Sequence, residues 1–148
     1  MKISINEHES FSETEIVINC RRADEQILRI VAGLRANDKK ITGLCNGQTF
    51  LLGIQDIFYI DTADRKTFLY TAAQVYETPL RLYELEERLA PEDFFRATKS
   101  SVVNFAKIIS LRPEFGGRML VTLENGEKLT VSRQYVPFIK QKLRIEDK

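Results

Sequence analysis

The 148-residue sequence predicts a mainly β protein: a domain of small antiparallel sheets with short helices over residues 41–148, preceded by a strand–strand–helix appendage over residues 1–40. Three observations predict it. Beyond residue 40 the chain is a succession of short runs rich in β-branched and aromatic residues, separated by turn-forming clusters. Asn125-Gly126 lies between two alternating apolar runs, the strongest short hairpin signal. The clearest long helical stripe, Ile27, Leu28, Val31 and Leu34, falls before residue 40.

The elements follow in order. Residues 2–5 and 15–20 read as two short strands around a polar turn, since Ile16 and Ile18 alternate with Val17 and Asn19. Asp24 is placed to cap the helix that carries the apolar stripe, and the polar stretch 35–40 reads as a linker. Strands are expected at 49–52, 57–60, 67–71, 94–98, 108–111, 119–123 and 129–131, mostly as antiparallel meanders. Asn125-Gly126 is expected to close the last pair as a type I′ turn. A helix interrupts the strands at 80–89: Pro79 opens it, Leu82, Leu85 and Leu89 share one face, and Pro91 follows its end. A final helix buries Val136, Ile139 and Leu143 and turns Lys140, Lys142 and Arg144 outward, with Pro137 fitting only its first turn.

Composition sets the class. With 43% hydrophobic and 29% charged residues the chain is that of an ordinary soluble globular protein. No apolar run approaches the roughly 20 residues that span a bilayer, and Met1-Lys2-Ile3-Ser4 lacks a signal-peptide core, so a cytoplasmic protein is expected. Cys20 and Cys45 form no CxxC pair and read as reduced, partly buried thiols, with a redox switch between them left open. The net charge of +1 conceals a split. Residues 96–148 hold 11 Lys and Arg against 5 Asp and Glu, whereas the first 95 residues hold 11 against 16. A basic C-terminal half fits an electrostatic footprint for phosphates, although basic faces are also commonly just solvated.

Catalysis is disfavoured. His8, the single histidine, sits in a polar turn with no Cys or His at a metal-ligand spacing, so neither a zinc site nor a Ser-His-Asp triad assembles around it. Glu86 and Glu87 belong to a charged helix face, Gly116-Gly117 is a turn, and no phosphate-cradling glycine motif occurs. No metal or cofactor is expected.

Three stretches then stand out: 56–61 (Asp-Ile-Phe-Tyr-Ile-Asp) with 64–67 (Asp-Arg-Lys-Thr), 94–104 (Phe-Phe-Arg-Ala-Thr-Lys-Ser-Ser-Val-Val-Asn), and 126–135 (Gly-Glu-Lys-Leu-Thr-Val-Ser-Arg-Gln-Tyr). In order and spacing the trio resembles the LytTR DNA-binding family over residues 41–148, and the whole chain resembles stand-alone bacterial LytTR regulators without a receiver domain. The resemblance implies an elongated β domain whose loops enter successive major grooves of double-stranded promoter DNA. It places base contacts at Lys66, Lys99 and Gln134 and phosphate contacts at Arg65, Ser100, Ser132 and Arg133. In two-component relatives the base-reading positions often hold His, Asn and Arg, so the base preference does not transfer. Stand-alone regulators of this type further imply a small regulatory membrane protein as a controlling partner. The stripe on the 1–40 appendage suggests a homodimer, or equally a helix packed on its own β domain.

Plainer roles compete at several positions. Lys66 and Lys99 fit ordinary strand-end lysines that discourage aggregation, and Ser132 fits a cap of the last helix. Asn104 reads as a turn residue satisfying backbone groups rather than a base reader. Phe58, Tyr59, Phe94 and Phe95 read as core rather than as a stacking platform for single strands. The alternative function is a protein-interaction module that pairs partners along exposed β edges without specific DNA binding.

Overall fold

A computed structural model describes residues 1–38 and 40–144. Met1–Arg35 and Ala36–Lys148 form two compact units. In the first, residues 1–24 carry no strand, so the two short strands expected at 2–5 and 15–20 are not formed. An isolated two-stranded pair has too little apolar face to hold itself together, and no third strand is present there to support it. Helix α1 (Glu25–Asp38) is present as expected. Asp24 caps it: Oδ1 accepts the Ile27 N–H at 3.0 Å, satisfying a first-turn donor with no partner inside the helix. His8 lies in a polar turn, where its Nδ1 accepts the Ser10 N–H at 3.0 Å. Cys20 is exposed rather than partly buried, and Cys45 is half-buried; both are free thiols.

The second unit is built of β1 (Lys40–Cys45), β2 (Gln48–Gly53), β3 (Ile57–Ala63), β4 (Lys66–Thr71), β5 (Val75–Thr78), α2 (Leu82–Leu89), β6 (Phe94–Thr98), β7 (Ser101–Asn104), β8 (Ile108–Pro113), β9 (Met119–Leu123), β10 (Lys128–Val131) and α3 (Val136–Leu143). Seven strands form an antiparallel sheet in the order β2-β1-β5-β4-β3-β7-β6, and three form a second sheet, β10-β9-β8.

Two cores lie on opposite faces of the larger sheet, and neighbouring residues divide between them because successive strand side chains point to opposite faces. Phe94 and Val102 join Ile57, Ile60, Leu69, Leu82, Leu85 and Leu89 under α2. Their neighbours Phe95 and Val103 join Val121, Leu123, Val131, Val136 and Ile139 beneath the small sheet and α3. Phe58 and Tyr59 both enter this second core. Two consecutive residues can face one way here because the β3–β4 register shifts between Ile57 and Tyr59. The four aromatics 58, 59, 94 and 95 are thus core residues, at 4–7% exposure.

Helix α2 begins at Leu82, two residues later than expected: Glu84 Oε1 accepts the Arg81 N–H at 3.4 Å, and Pro79 stands outside the helix. Asn104, 2% exposed, donates from Nδ2 to the Ile57 carbonyl at 2.9 Å, and its Oδ1 accepts the Ala106 N–H at 3.0 Å. It satisfies backbone groups, as expected for a turn residue.

Turn chemistry at the hairpins differs from the expectation. Asn125-Gly126 does join β9 to β10, but only Gly126 has positive φ, at +86°. Gly126 N–H donates to the Leu123 carbonyl at 2.8 Å, and Leu123 N–H to the Glu127 carbonyl at 2.8 Å. This is a three-residue loop ending in a glycine bulge, not a type I′ turn. The left-handed pair occurs instead at Asn46-Gly47 (φ 49° and 75°), between Cys45 and its partner Gln48, and at Asp64-Arg65 (φ 52° and 65°), between Ala63 and its partner Lys66.

Candidate nucleic-acid interface

The β6–β7 turn, Thr98 to Ser101, is locally over-determined. Thr98 Oγ1 accepts the Ser100 N–H at 3.1 Å and lies 2.7 Å from Ser101 Oγ. Arg96 fixes the turn from below: Nη1 donates to the Lys99 carbonyl at 2.6 Å while Nε donates to Glu86 Oε2 on α2, also at 2.6 Å. The carbonyl of Lys99 is held and its side chain is left in solvent.

The segment after β10 reaches the same place by a backbone bond, Ser132 N–H to the Ala97 carbonyl at 2.8 Å. Ser132 opens the 3-10 turn Arg133–Tyr135, yet its hydroxyl does not cap it; the Tyr135 N–H binds the Ser132 carbonyl instead. The capping role considered for this side chain is therefore not filled, and the hydroxyl lines an open groove. That groove, about 710 Å³, is lined by Thr98, Lys99, Ser100, Ser132, Arg133 and Gln134. Five of the seven candidate contact residues, from two stretches distant in sequence and from two sheets, thus share one concavity.

Arg65 and Lys66 lie outside the groove lining but at the same end of the larger sheet. They belong to the β3–β4 hairpin, where Lys66 pairs with Ala63. Thr62, just before that hairpin, donates its N–H to the Ser100 carbonyl at 2.9 Å, so the two turns emerge side by side. Arg65, Lys66, Lys99, Arg133 and Gln134 are all exposed. Among the described residues, none of these four cations makes an ion pair within the protein. Unpaired, exposed cations along one sheet end suit phosphates, which draw Lys and Arg by counterion release.

Of three supporting residues, only Gly117 carries a sequence signal, as part of the Gly116-Gly117 turn. Arg96 and Thr98 act through bonds that only the folded turn creates. Gly117, at φ +79°, lies under Arg133: a Cβ there would stand 3.1 Å from Arg133 Cγ. Its closeness lets the arginine stem cross the β8–β9 loop. Among the described residues no group of His, Cys, Asp or Glu is arranged to hold a metal, and no helix is long and apolar enough to cross a membrane.

Comparison with known proteins finds relatives of this chain. Residues 47–144 match the model of the LytTr DNA-binding domain. A protein of Staphylococcus aureus described as an uncharacterized HTH-type transcriptional regulator is 27% identical over 147 residues, covering 98% of this chain and 99% of that protein. The sensory transduction protein LytT of Enterococcus faecalis is 32% identical over 94 residues, 64% of this chain and 39% of LytT. A solved LytTr DNA-binding domain from Bacillus cereus superposes with a TM-score of 0.67 at 23% identity, covering 71% of this chain and 96% of that domain. In this chain the described residues contain no pair of helices joined by a short turn.

Proposed function

From the premise that this chain belongs to the LytTR family of DNA-binding domains, domains of transcriptional regulators, we propose that it is a sequence-specific regulator that reads the major grooves of double-stranded promoter DNA with turns of its β domain. The observation that carries the proposal is the shared groove of Lys99, Ser100, Ser132, Arg133 and Gln134, with the Arg65-Lys66 turn at the same sheet end. In this reading Lys66 and Lys99 donate to guanine O6 and N7, and Gln134 makes a two-point contact with adenine N6 and N7. Such contacts discriminate by about 1–3 kcal/mol each. Arg65, Ser100, Ser132 and Arg133 hold phosphates and fix the register without reading sequence.

The regulator acts as a homodimer in this proposal, joined through residues 1–40. Support comes from the apolar residues of that segment that stand in solvent, among them Ile16 (64% exposed), Val17 (65%) and Leu28 (59%). Sedimentation of wild type as a dimer and of Leu28→Lys as a monomer is the expected result; identical sedimentation removes the helix from the interface.

DNA reading is tested by fluorescence anisotropy of the protein on a duplex from its own upstream region and on a scrambled duplex, each at several salt concentrations. Selective binding that weakens with salt is expected. Binding to neither duplex favours instead a protein-pairing module that uses its β edges.

A further inference from the structure

We propose that the loop joining β8 to β9 is a further DNA contact, with Phe115 acting as an apolar wedge in the minor groove next to the phosphates held by Arg133. This rests on the DNA-reading function proposed above. Phe115 is 91% exposed, whereas Phe58, Phe94 and Phe95 are all buried. Its ring adds nothing to either core, and an aromatic ring standing in water is among the costlier side chains to display without a partner.

The loop backbone that presents the ring is held by two hydrogen bonds. Glu114 donates its N–H to the Arg118 carbonyl at 2.8 Å, and Arg118 Nε donates to the Phe115 carbonyl at 3.2 Å. Gly116 and Gly117 supply the left-handed conformations, φ +82° and +79°, that a return this tight demands. A loop backbone already fixed in place loses little entropy when it meets a partner.

Its neighbours identify the partner. Arg133 lines the groove shared with Lys99 and Ser100, and its stem runs over Gly117. Arg133 therefore stands between the reading turns and the Phe115 loop. In duplex DNA a phosphate ridge separates the major groove from the minor. With Lys99 and Gln134 on the major-groove side and Arg133 on the ridge, the next surface along is the minor groove. Apolar side chains inserted there part a base step and bend the duplex, most readily at flexible pyrimidine–purine steps. Arg118 beside the ring supplies charge for the flanking phosphates.

The experiment uses the full chain and a duplex enriched from a randomised pool by the wild-type protein, with 2-aminopurine at successive steps beside the enriched site. Wild type is expected to raise the fluorescence of one step as that step unstacks. Phe115→Ala should abolish the rise and weaken binding by about tenfold, within the range for loss of one aromatic–base contact. Its salt slope should stay unchanged, since no charge is removed. Phe115→Trp should restore both signals. Equal affinity and equal fluorescence for Phe115→Ala and wild type overturn the wedge, as does a changed oligomeric state of the DNA-free Phe115→Ala protein. If the pool enriches nothing, DNA reading and wedge fall together. If enrichment succeeds and Lys99→Ala loses selectivity while Phe115→Ala is silent, the wedge alone falls.

Discussion

The Tyr59 hydroxyl donates to Glu127 Oε1 at 2.6 Å, joining β3 of the larger sheet to the β9–β10 hairpin of the smaller one. The ring is also stacked on Tyr70, 4.2 Å between centroids and 8° from parallel. The second core thus has a polar latch at its rim. Tyr59→Phe is expected to lower stability by about 1 kcal/mol, the usual net value of one hydrogen bond, with the ring packing kept. Urea denaturation followed by circular dichroism measures it, and an unchanged midpoint would remove the latch from the account of stability.

The same tyrosine makes the domain sensitive to alkali. Burial foremost, then the bond to Glu127 and its charge, push the Tyr59 hydroxyl well above its ordinary 10.0. Tyr70 is raised as well, by burial and then by Asp61. Above pH 10 the unfolded chain releases these protons while the folded chain keeps them, so stability falls as pH rises beyond that point. For Tyr59, whose rise is the larger, the slope approaches about 1.4 kcal/mol per pH unit well above pH 10. Denaturation midpoints between pH 9 and 11.5 should decline less steeply in Tyr59→Phe than in wild type.

Base readers and phosphate holders separate under competition. Lys66→Ala and Lys99→Ala are expected to lose about 1–3 kcal/mol on specific DNA and much less on scrambled DNA. Arg133→Ala is expected to weaken both alike and to reduce the salt slope by about one. Anisotropy on paired duplexes distinguishes them, and equal losses on every sequence from all three variants would show the base readers to be misassigned.

Arg96 holds the β6–β7 turn through two side-chain bonds. Arg96→Ala removes both the bond to the Lys99 carbonyl and the bond to Glu86. Selectivity should fall toward that of Lys99→Ala, while a duplex mutated at the base read by Lys99 should be bound no worse by Arg96→Ala than by wild type. A uniform loss on both duplexes would reduce Arg96 to a structural ion pair.

Arg65 carries backbone strain at a tip that the proposed function uses. Its φ of 65° is one that side chains other than glycine adopt at a cost of about 1 kcal/mol. Arg65→Gly should therefore raise the melting temperature while weakening binding to all duplexes. Strain of this kind persists where a side chain is needed for another purpose. A stabilised variant with undiminished binding would sever that link.

Much of this fold was legible in residue patterns, and the exceptions have physical causes. Helix α1 with its Asp24 cap, the apolar face of α2 and the Phe94–Thr98 strand follow from periodicity and capping chemistry. Strand β1 was missed because Gly43 interrupts it. That glycine is required, since a Cβ would lie 2.8 Å from both Leu52 Cδ1 and Tyr76 Cβ. Missing β1 also hid the Asn46-Gly47 hairpin, whose turn signal was as plain as the one at Asn125-Gly126. Strands β5 and β7 have four residues each, too few for alternation to register without an Asn-Gly turn beside them like the one that marks the equally short β10. The candidate site was less legible. Nothing in periodicity says that Lys99 and Gln134 line one groove; only the family resemblance put them together. The Ala97–Ser132 bond that joins their segments uses backbone atoms, which leave no trace in side-chain identity.

That last bond has an evolutionary consequence. A link made by main-chain atoms is indifferent to which side chains project beside it, and Lys99, Arg133 and Gln134 take no part in either core. Under the proposed reading, substitutions at these tips rewrite the address that the protein recognises while its architecture stands unchanged, so paralogues with different target sites can diverge by a handful of surface replacements.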